Sequence, residues 1–230
     1  MKDAFRLIFA VLAVFFLIGC SAPVADKKDI MEGTPSAPEE KPQTVNDVVE
    51  GLTERQNSVP SEIKELIEKA KYRVSSVSYF YKGPENENEI YTFFIKGSRI
   101  KYVPPRAVKS LDFADSYDSV FIDVEKKTAE KYCDDITCEY RGKKESLNFN
   151  EAYILTPFDW VSGITKAEKV GEEKIENRNT WKLLTNKGTV WVDSYYGIAF
   201  KAESEGNSYK YTQLSFDKVK DSDVVPFDAQ

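Results

Sequence analysis

The chain has 230 residues, 41% of them apolar and 30% charged, with a net charge of −6, no histidine and three cysteines. Without histidine there is no Ser-His-Asp or Cys-His triad, no imidazole ligand for a metal or haem, and no side chain whose ordinary pKa falls near neutrality. Lysines scattered over an acidic chain form no basic stripe for phosphates, so no nucleic-acid partner is expected.

Lys2 and Arg6 bracket a charged start, and Leu7 to Ile18 then runs as twelve consecutive apolar residues before Gly19 and Cys20. Twelve helical residues reach about 18 Å, well short of the roughly 30 Å hydrocarbon core, so residues 1–19 read as a signal segment and not as a membrane span. The stretch Leu17-Ile18-Gly19-Cys20 resembles the end of a bacterial lipoprotein signal peptide. That resemblance implies cleavage after Gly19 and a diacylglycerol on the Cys20 thiol. The mature protein would then be anchored by membrane lipid to the cell membrane or the outer membrane, on the extracytoplasmic face. The alternatives are an uncleaved anchor and an ordinary secretory signal with an incidental cysteine.

Residues 20–60 follow as a tether. The stretch holds Pro23, Pro35, Pro38, Pro42 and Pro60 and no Phe, Tyr or Trp, so it buries too little apolar surface to offset its ordering entropy. A flexible chain of this length reaches about 35 Å.

From Ser61 the composition changes, and 26 of the 30 aromatic residues lie beyond that point. Pro60 and Ser61 open a predicted helix in which Ile63, Leu66, Ile67 and Ala70 recur on one face. Period-two patterning then predicts strands over Val77 to Tyr81, Ile90 to Ile95 and Arg99 to Val103, joined through the turn residues at Gly83 to Asn88 and Lys96 to Ser98. Further strands are read at Val120 to Val124, Glu130 to Cys133, Thr137 to Arg141, Thr180 to Thr185, Thr189 to Asp193, Ile198 to Glu203 and Tyr209 to Phe216. A short helix is expected before or after Thr156-Pro157-Phe158. The expected fold is α+β and mostly antiparallel β: a large curved sheet or half-open barrel with an N-terminal amphipathic helix and one or two short helices as a lid.

This order of elements over residues 61–230 is similar to the LolA/LolB lipoprotein-carrier superfamily. The stretches carrying the resemblance are Lys169 to Arg178, Val190-Trp191-Val192-Asp193 through Gly197 to Lys201, and the terminal Asp223-Val224-Val225-Pro226-Phe227. The resemblance implies an apolar cavity that accepts an acyl chain or an acylated lipoprotein, with no covalent chemistry. Alternation makes Tyr79, Tyr81, Tyr91, Phe93 and Ile95, with Trp191, the candidate cavity lining. The other reading of the same aromatics is a filled core in a non-catalytic envelope scaffold or protein-interaction module. Family carriers hold the lid with a buried arginine, for which the early strands offer only Arg73 and Arg99, and anchored members use an apolar loop, for which Leu111 and Phe113 are the candidates.

Cys133 and Cys138 sit at a tight connection in an exported chain, where a disulfide is expected. A metal site there would need two further soft ligands, and a redox pair would need C-x-x-C spacing. No metal and no cofactor are expected. The carboxylate pairs Asp115 with Asp118 and Glu172 with Glu173 could in principle do acid–base work, but 38 acidic residues produce such pairs by chance, and no enzyme activity is expected.

Overall fold

The computed structural model describes residues 58–86, 89–104, 117–136, 138 and 140–229. The signal segment, Cys20, the tether through residue 57, and Leu111 and Phe113 lie outside the described residues.

Helix α1, Ser61–Arg73, buries Ile63, Leu66 and Ala70, the face that the i, i+3, i+7 spacing selects. Six strands follow: β1 Ser76–Lys82, β2 Tyr91–Lys96, β3 Arg99–Val103, β4 Ser119–Asp123, β5 Thr128–Tyr132 and β6 Lys144–Leu147. A strap then carries two short helices, α2 Phe149–Ala152 and α3 Pro157–Val161, one on each side of Thr156. Five more strands complete the chain: β7 Ala167–Ile175, β8 Arg178–Thr185, β9 Gly188–Asp193, β10 Ala199–Ser204 and β11 Asn207–Phe216.

All eleven strands form one antiparallel sheet in the order β6-β5-β4-β3-β2-β1-β11-β10-β9-β8-β7. Two meanders are thus joined by pairing β1 with β11, which brings Val77 opposite Phe216 and Tyr81 opposite Tyr211. Ser75 seals this seam by donating through both its amide and its hydroxyl to Asp217 Oδ1, at 2.8 and 2.7 Å. The sheet is curved and open, with β6 and β7 as its edges. Among the described residues no helix is long and apolar enough to cross a membrane.

The register puts Val77, Tyr79 and Tyr81 on one face together with Phe93, Ile95, Ile100, Tyr102, Val120 and Ile122. α1 and the strap pack on this inner face, and the buried core runs through it continuously. The C-terminal tail instead meets the β5–β6 connection, where the Phe227 amide donates to Asp134 Oδ1 at 3.0 Å.

Two strand expectations are corrected. The described residues of the stretch expected as a strand from Thr137 to Arg141, namely 138, 140 and 141, lie in no strand, and β6 begins at Lys144. Cys133 and Cys138 are joined by a disulfide, with their Cα atoms 5.8 Å apart. The Asp118 carboxylate accepts from the Asp134 and Asp135 amides at 3.0 and 2.9 Å, so this segment's polar groups are met within the loop. Strand β7 was not among the expected strands. It is an edge strand whose exposed Glu168, Glu172, Glu173 and Lys174 hide the alternation, and it carries a bulge between Lys169 and Gly171.

The β9–β10 turn docks α1. Asp193 accepts from the Tyr195 and Tyr196 amides at 2.9 and 2.6 Å and pairs with Arg178 Nε at 2.7 Å. Lys69 Nζ and the Arg73 guanidinium donate to the Ser194 and Tyr195 carbonyls at 2.9 and 3.0 Å. Gly197 closes the turn at φ +73°, where a Cβ would strike the Leu66 carbonyl oxygen and come within 3.1 Å of the Ala70 nitrogen. Gly197→Ala is therefore expected to destabilise the domain by roughly 2–4 kcal/mol, combining the left-handed backbone penalty with displacement of α1. Urea unfolding followed by tryptophan fluorescence measures it.

Candidate functional site

Eleven strands leave a wide inner face, and its middle is filled. Tyr79 stacks on Phe93 at a centroid distance of 5.1 Å, Phe93 on Tyr102 at 5.1 Å, and Tyr91 on Tyr102 at 5.7 Å. Tyr211 meets Tyr79 edge-on at 5.4 Å. Such pairs contribute about 0.5–1.5 kcal/mol each beyond the area they bury.

These phenols also hold the strap. Tyr211 Oη donates to the Leu155 carbonyl at 2.9 Å and accepts from Trp160 Nε1 at 2.8 Å, and Tyr102 Oη donates to the Ala152 carbonyl at 3.3 Å. Tyr81 Oη donates to the Glu85 carboxylate. Burial pushes the Tyr79, Tyr81 and Tyr211 hydroxyls well above the ordinary phenol range and Tyr102 up to about 12, so at neutral pH all stay protonated donors. The Tyr79 hydroxyl has no hydrogen-bond partner among the described residues.

The strap is rigid in its own right. Asp159 Oδ2 accepts from the Thr156 amide at 2.7 Å, the Thr156 hydroxyl at 2.6 Å and the Tyr153 hydroxyl at 2.8 Å, fixing the start of α3 with Pro157 at its first position. Lys187 Nζ, from the β8–β9 turn, donates to the Asp159 carbonyl at 2.6 Å and to the Ser162 carbonyl.

Where α1 and the strap fail to meet, an apolar cleft of about 1110 Å³ opens. Its walls are Ile67 from α1 and Val74 just after it, Ile95 and Ile100 from the sheet, and Phe158 and Ile164 from the strap. A smaller pocket of about 620 Å³ beside Trp160 is lined by Leu155 together with Asn186, Lys187 and Glu205.

Of the sequence-derived lining candidates, Ile95 lines the cleft, while Tyr79, Tyr81, Tyr91 and Phe93 lie on the same inner face within the aromatic stack. Trp191 stands on the opposite face from Val190 and Val192, which corrects its assignment to the interior. Its ring is covered by Lys201 at 4.0 Å and Lys182 at 5.0 Å, and Nε1 donates to Glu173 Oε2 at 2.7 Å, so a buried Trp is satisfied without facing the cavity.

Arg73 and Arg99 do not form a buried lid arginine. Arg73 holds the β9–β10 turn, and Arg99 is exposed. Of the carboxylates first considered for acid–base work, Asp115 lies outside the described residues, and the other three have other partners: Asp118 caps its loop, Glu172 pairs with Lys169 at 2.7 Å, and Glu173 accepts from Trp191. Asp118 lies close to both cysteine sulfurs, but the disulfide leaves no thiolate to bind a metal. The sequence reading missed the walls given by Phe158 and Ile164, although Thr156-Pro157-Phe158-Asp159 carried a helix-start signal.

No family model matches the chain, and no curated protein matches it. Among solved structures, an uncharacterized conserved protein from Thermus thermophilus superposes with a TM-score of 0.45 at 10% identity, over 73% of this chain and 96% of that one. A LolA superfamily protein from Nitrosomonas europaea gives 0.33 at 10% identity, over 73% and 99%. A DUF1329 family protein from Desulfovibrio piger gives 0.25 at 10% identity, over 71% and 97%. At these values the functional reading rests on the geometry of this chain.

Removing the Tyr211 hydroxyl tests the strap's attachment. Tyr211→Phe leaves the buried Trp160 indole without its acceptor and the part-buried Leu155 carbonyl without this donor, and a loss of about 1–3 kcal/mol is expected. Thermal unfolding by circular dichroism reads it, and amide exchange should rise in the strap before the sheet.

Proposed function

We propose that this chain is an extracytoplasmic lipoprotein, anchored through acylated Cys20, whose sheet domain binds an acyl chain or another amphiphile without catalysing a reaction. The observation that carries the binding reading is the apolar cleft of about 1110 Å³ between α1, the sheet and the strap. It is of the size of small-molecule sites, which run to about 1,000 Å³.

The energetics are adequate. About fifteen buried methylenes, as in a long acyl chain, contribute about 12 kcal/mol, and subtracting about 4 kcal/mol of association cost leaves about 8 kcal/mol, which is micromolar-range affinity. An acylated lipoprotein would present the same chain chemistry. The absence of histidine and the raised phenol pKa values support binding over acid–base chemistry. The stacked tyrosines favour a second reading, a non-catalytic envelope scaffold, because they fill the middle of the face that a deep cavity would need.

The chain beginning at Ser21 separates the two readings. A fluorescent fatty-acid probe is expected to bind it at micromolar concentration. Ile67→Asp or Ile164→Asp should weaken that binding at least tenfold, by placing a carboxylate in the apolar wall. No probe binding by the folded wild-type chain would remove the amphiphile reading and leave the scaffold. Mass spectrometry of the mature protein tests the anchor: the expected N-terminal residue is Cys20 carrying a diacylglycerol, and an unmodified Cys20 would end that proposal.

A further inference from the structure

Four walls of the cleft are apolar side chains that stay partly accessible. Ile67, Val74, Phe158 and Ile164 pack against the core on one side, and each is only half-buried. Charge does not select what covers them. In the lining, Glu68, Glu125 and Asp159 stand against Lys64 and Lys71; Glu68 pairs with Lys71 at 2.7 Å, and Asp159 is engaged by the Tyr153 and Thr156 hydroxyls. An occupant is therefore chosen by its apolar surface and by its reach.

The chain itself supplies such an occupant. Val59 lines the cleft and is 8% exposed. The Ile63 and Lys64 amides donate to the Pro60 carbonyl at 3.1 and 3.0 Å, so the first turn of α1 fixes the point at which the tether meets the cleft. Upstream of that point, Val45, Val48, Val49 and Leu52 recur at i, i+3, i+4 and i+7. This is the spacing with which an amphipathic helix lays one face in an apolar groove. No other stretch of residues 20–60 has it. Residues 53–58 separate the stripe from Val59 and extend at most about 20 Å, the length of the 13-residue α1, so the stripe can fold back along the cleft. Gly51 weakens a helix here in isolation, and the tether alone buries too little apolar surface to order itself. The half-buried walls provide the surface that it lacks.

We infer that the tether segment from Val45 to Leu52 occupies the cleft of its own chain, and that an amphiphile must displace it to bind. The displacement rests on the reading of the cleft as an amphiphile site; the occupancy does not. A tethered competitor acts at an effective concentration of about a millimolar, and it lowers apparent ligand affinity by the fraction of chains whose cleft is open.

Amide hydrogen exchange on the chain beginning at Ser21 reads the occupancy directly. Relative to intrinsic rates, residues 45–52 are expected to exchange about tenfold more slowly than residues 30–42, and saturating fatty-acid probe should abolish the difference. Val48→Asp combined with Leu52→Asp should abolish it without any ligand and tighten probe binding about fivefold. Gly51→Ala, which strengthens the helix, should weaken probe binding severalfold. All three positions lie outside the described domain, so its core packing is untouched by these substitutions. Three results overturn the inference and leave the cleft reading standing: equal exchange over the two stretches, measurable probe affinity that none of the substitutions moves, or protection lost on dilution, which assigns the occupant to a second copy. Protection over residues 45–52 with no probe binding removes the amphiphile reading and keeps the tether as the occupant.

Discussion

The governing constraint is one of width. Eleven strands at about 4.8 Å spacing make a sheet nearly 50 Å across before curvature, whereas a helix of 13 residues is only about 20 Å long. One helix cannot cover such a face. The inner side chains are large and apolar, so the sheet needs a second cover, and the strap between β6 and β7 supplies it. Because the two covers are held by different partners, they need not abut. The cleft is the part of the inner face that neither reaches.

The attachments show how polar groups are used to fix an otherwise non-directional interface. Apolar burial alone would let the strap slide, since it rewards area and not register. Tyr211 and Tyr102 place donors at the Leu155 carbonyl, in the irregular backbone between α2 and α3, and at the Ala152 carbonyl at the C-terminal end of α2, neither of which belongs to a sheet ladder. Each such bond contributes only about 1 kcal/mol net, but leaving its partner buried and unpaired costs more. The tyrosine rings supply the filling and their hydroxyls supply the position. On α1 the same division holds: Ile63 and Leu66 supply burial, while Lys69 and Arg73 fix the helix against the β9–β10 turn.

Much of this was legible, and the losses have physical causes. The i, i+3, i+4 pattern located α1, and alternation located β1, β2 and β3, because those elements bury one face and expose the other. Alternation also gave the phase of each strand, but not which phase faces inward. At Trp191 the ambiguity misled, since lysine stems and a glutamate can bury an indole on the outer face as completely as a core does. Strand β7 was illegible because an exposed edge strand is free to be charged. The stretch from Thr137 to Arg141 read as a strand, yet its described residues, 138, 140 and 141, lie in no strand, and a disulfide ties Cys138 back to Cys133. The cleft draws its walls from α1, the sheet and the strap, segments as far apart as Ile67 and Ile164, and no local pattern reports such a meeting.

The opposition between a filled core and an open cavity dissolves at this level of detail, because both occupy one face at different places. The tyrosine stack sits where β1, β2, β3 and β11 run side by side, and it is covered by the strap. The cleft lies toward the β2–β3 and β4–β5 turns, between the strap and the second half of α1. An apolar opening of this kind usually shrinks by collapse, since its walls gain contacts by closing. Here closure would require moving α1 away from the β9–β10 turn, where Gly197 leaves no room for adjustment against Leu66, or pulling the strap off Tyr211 and Lys187. The packed stack is therefore the structural condition for the open cleft beside it: by holding the strap in place, it keeps one wall from falling inward.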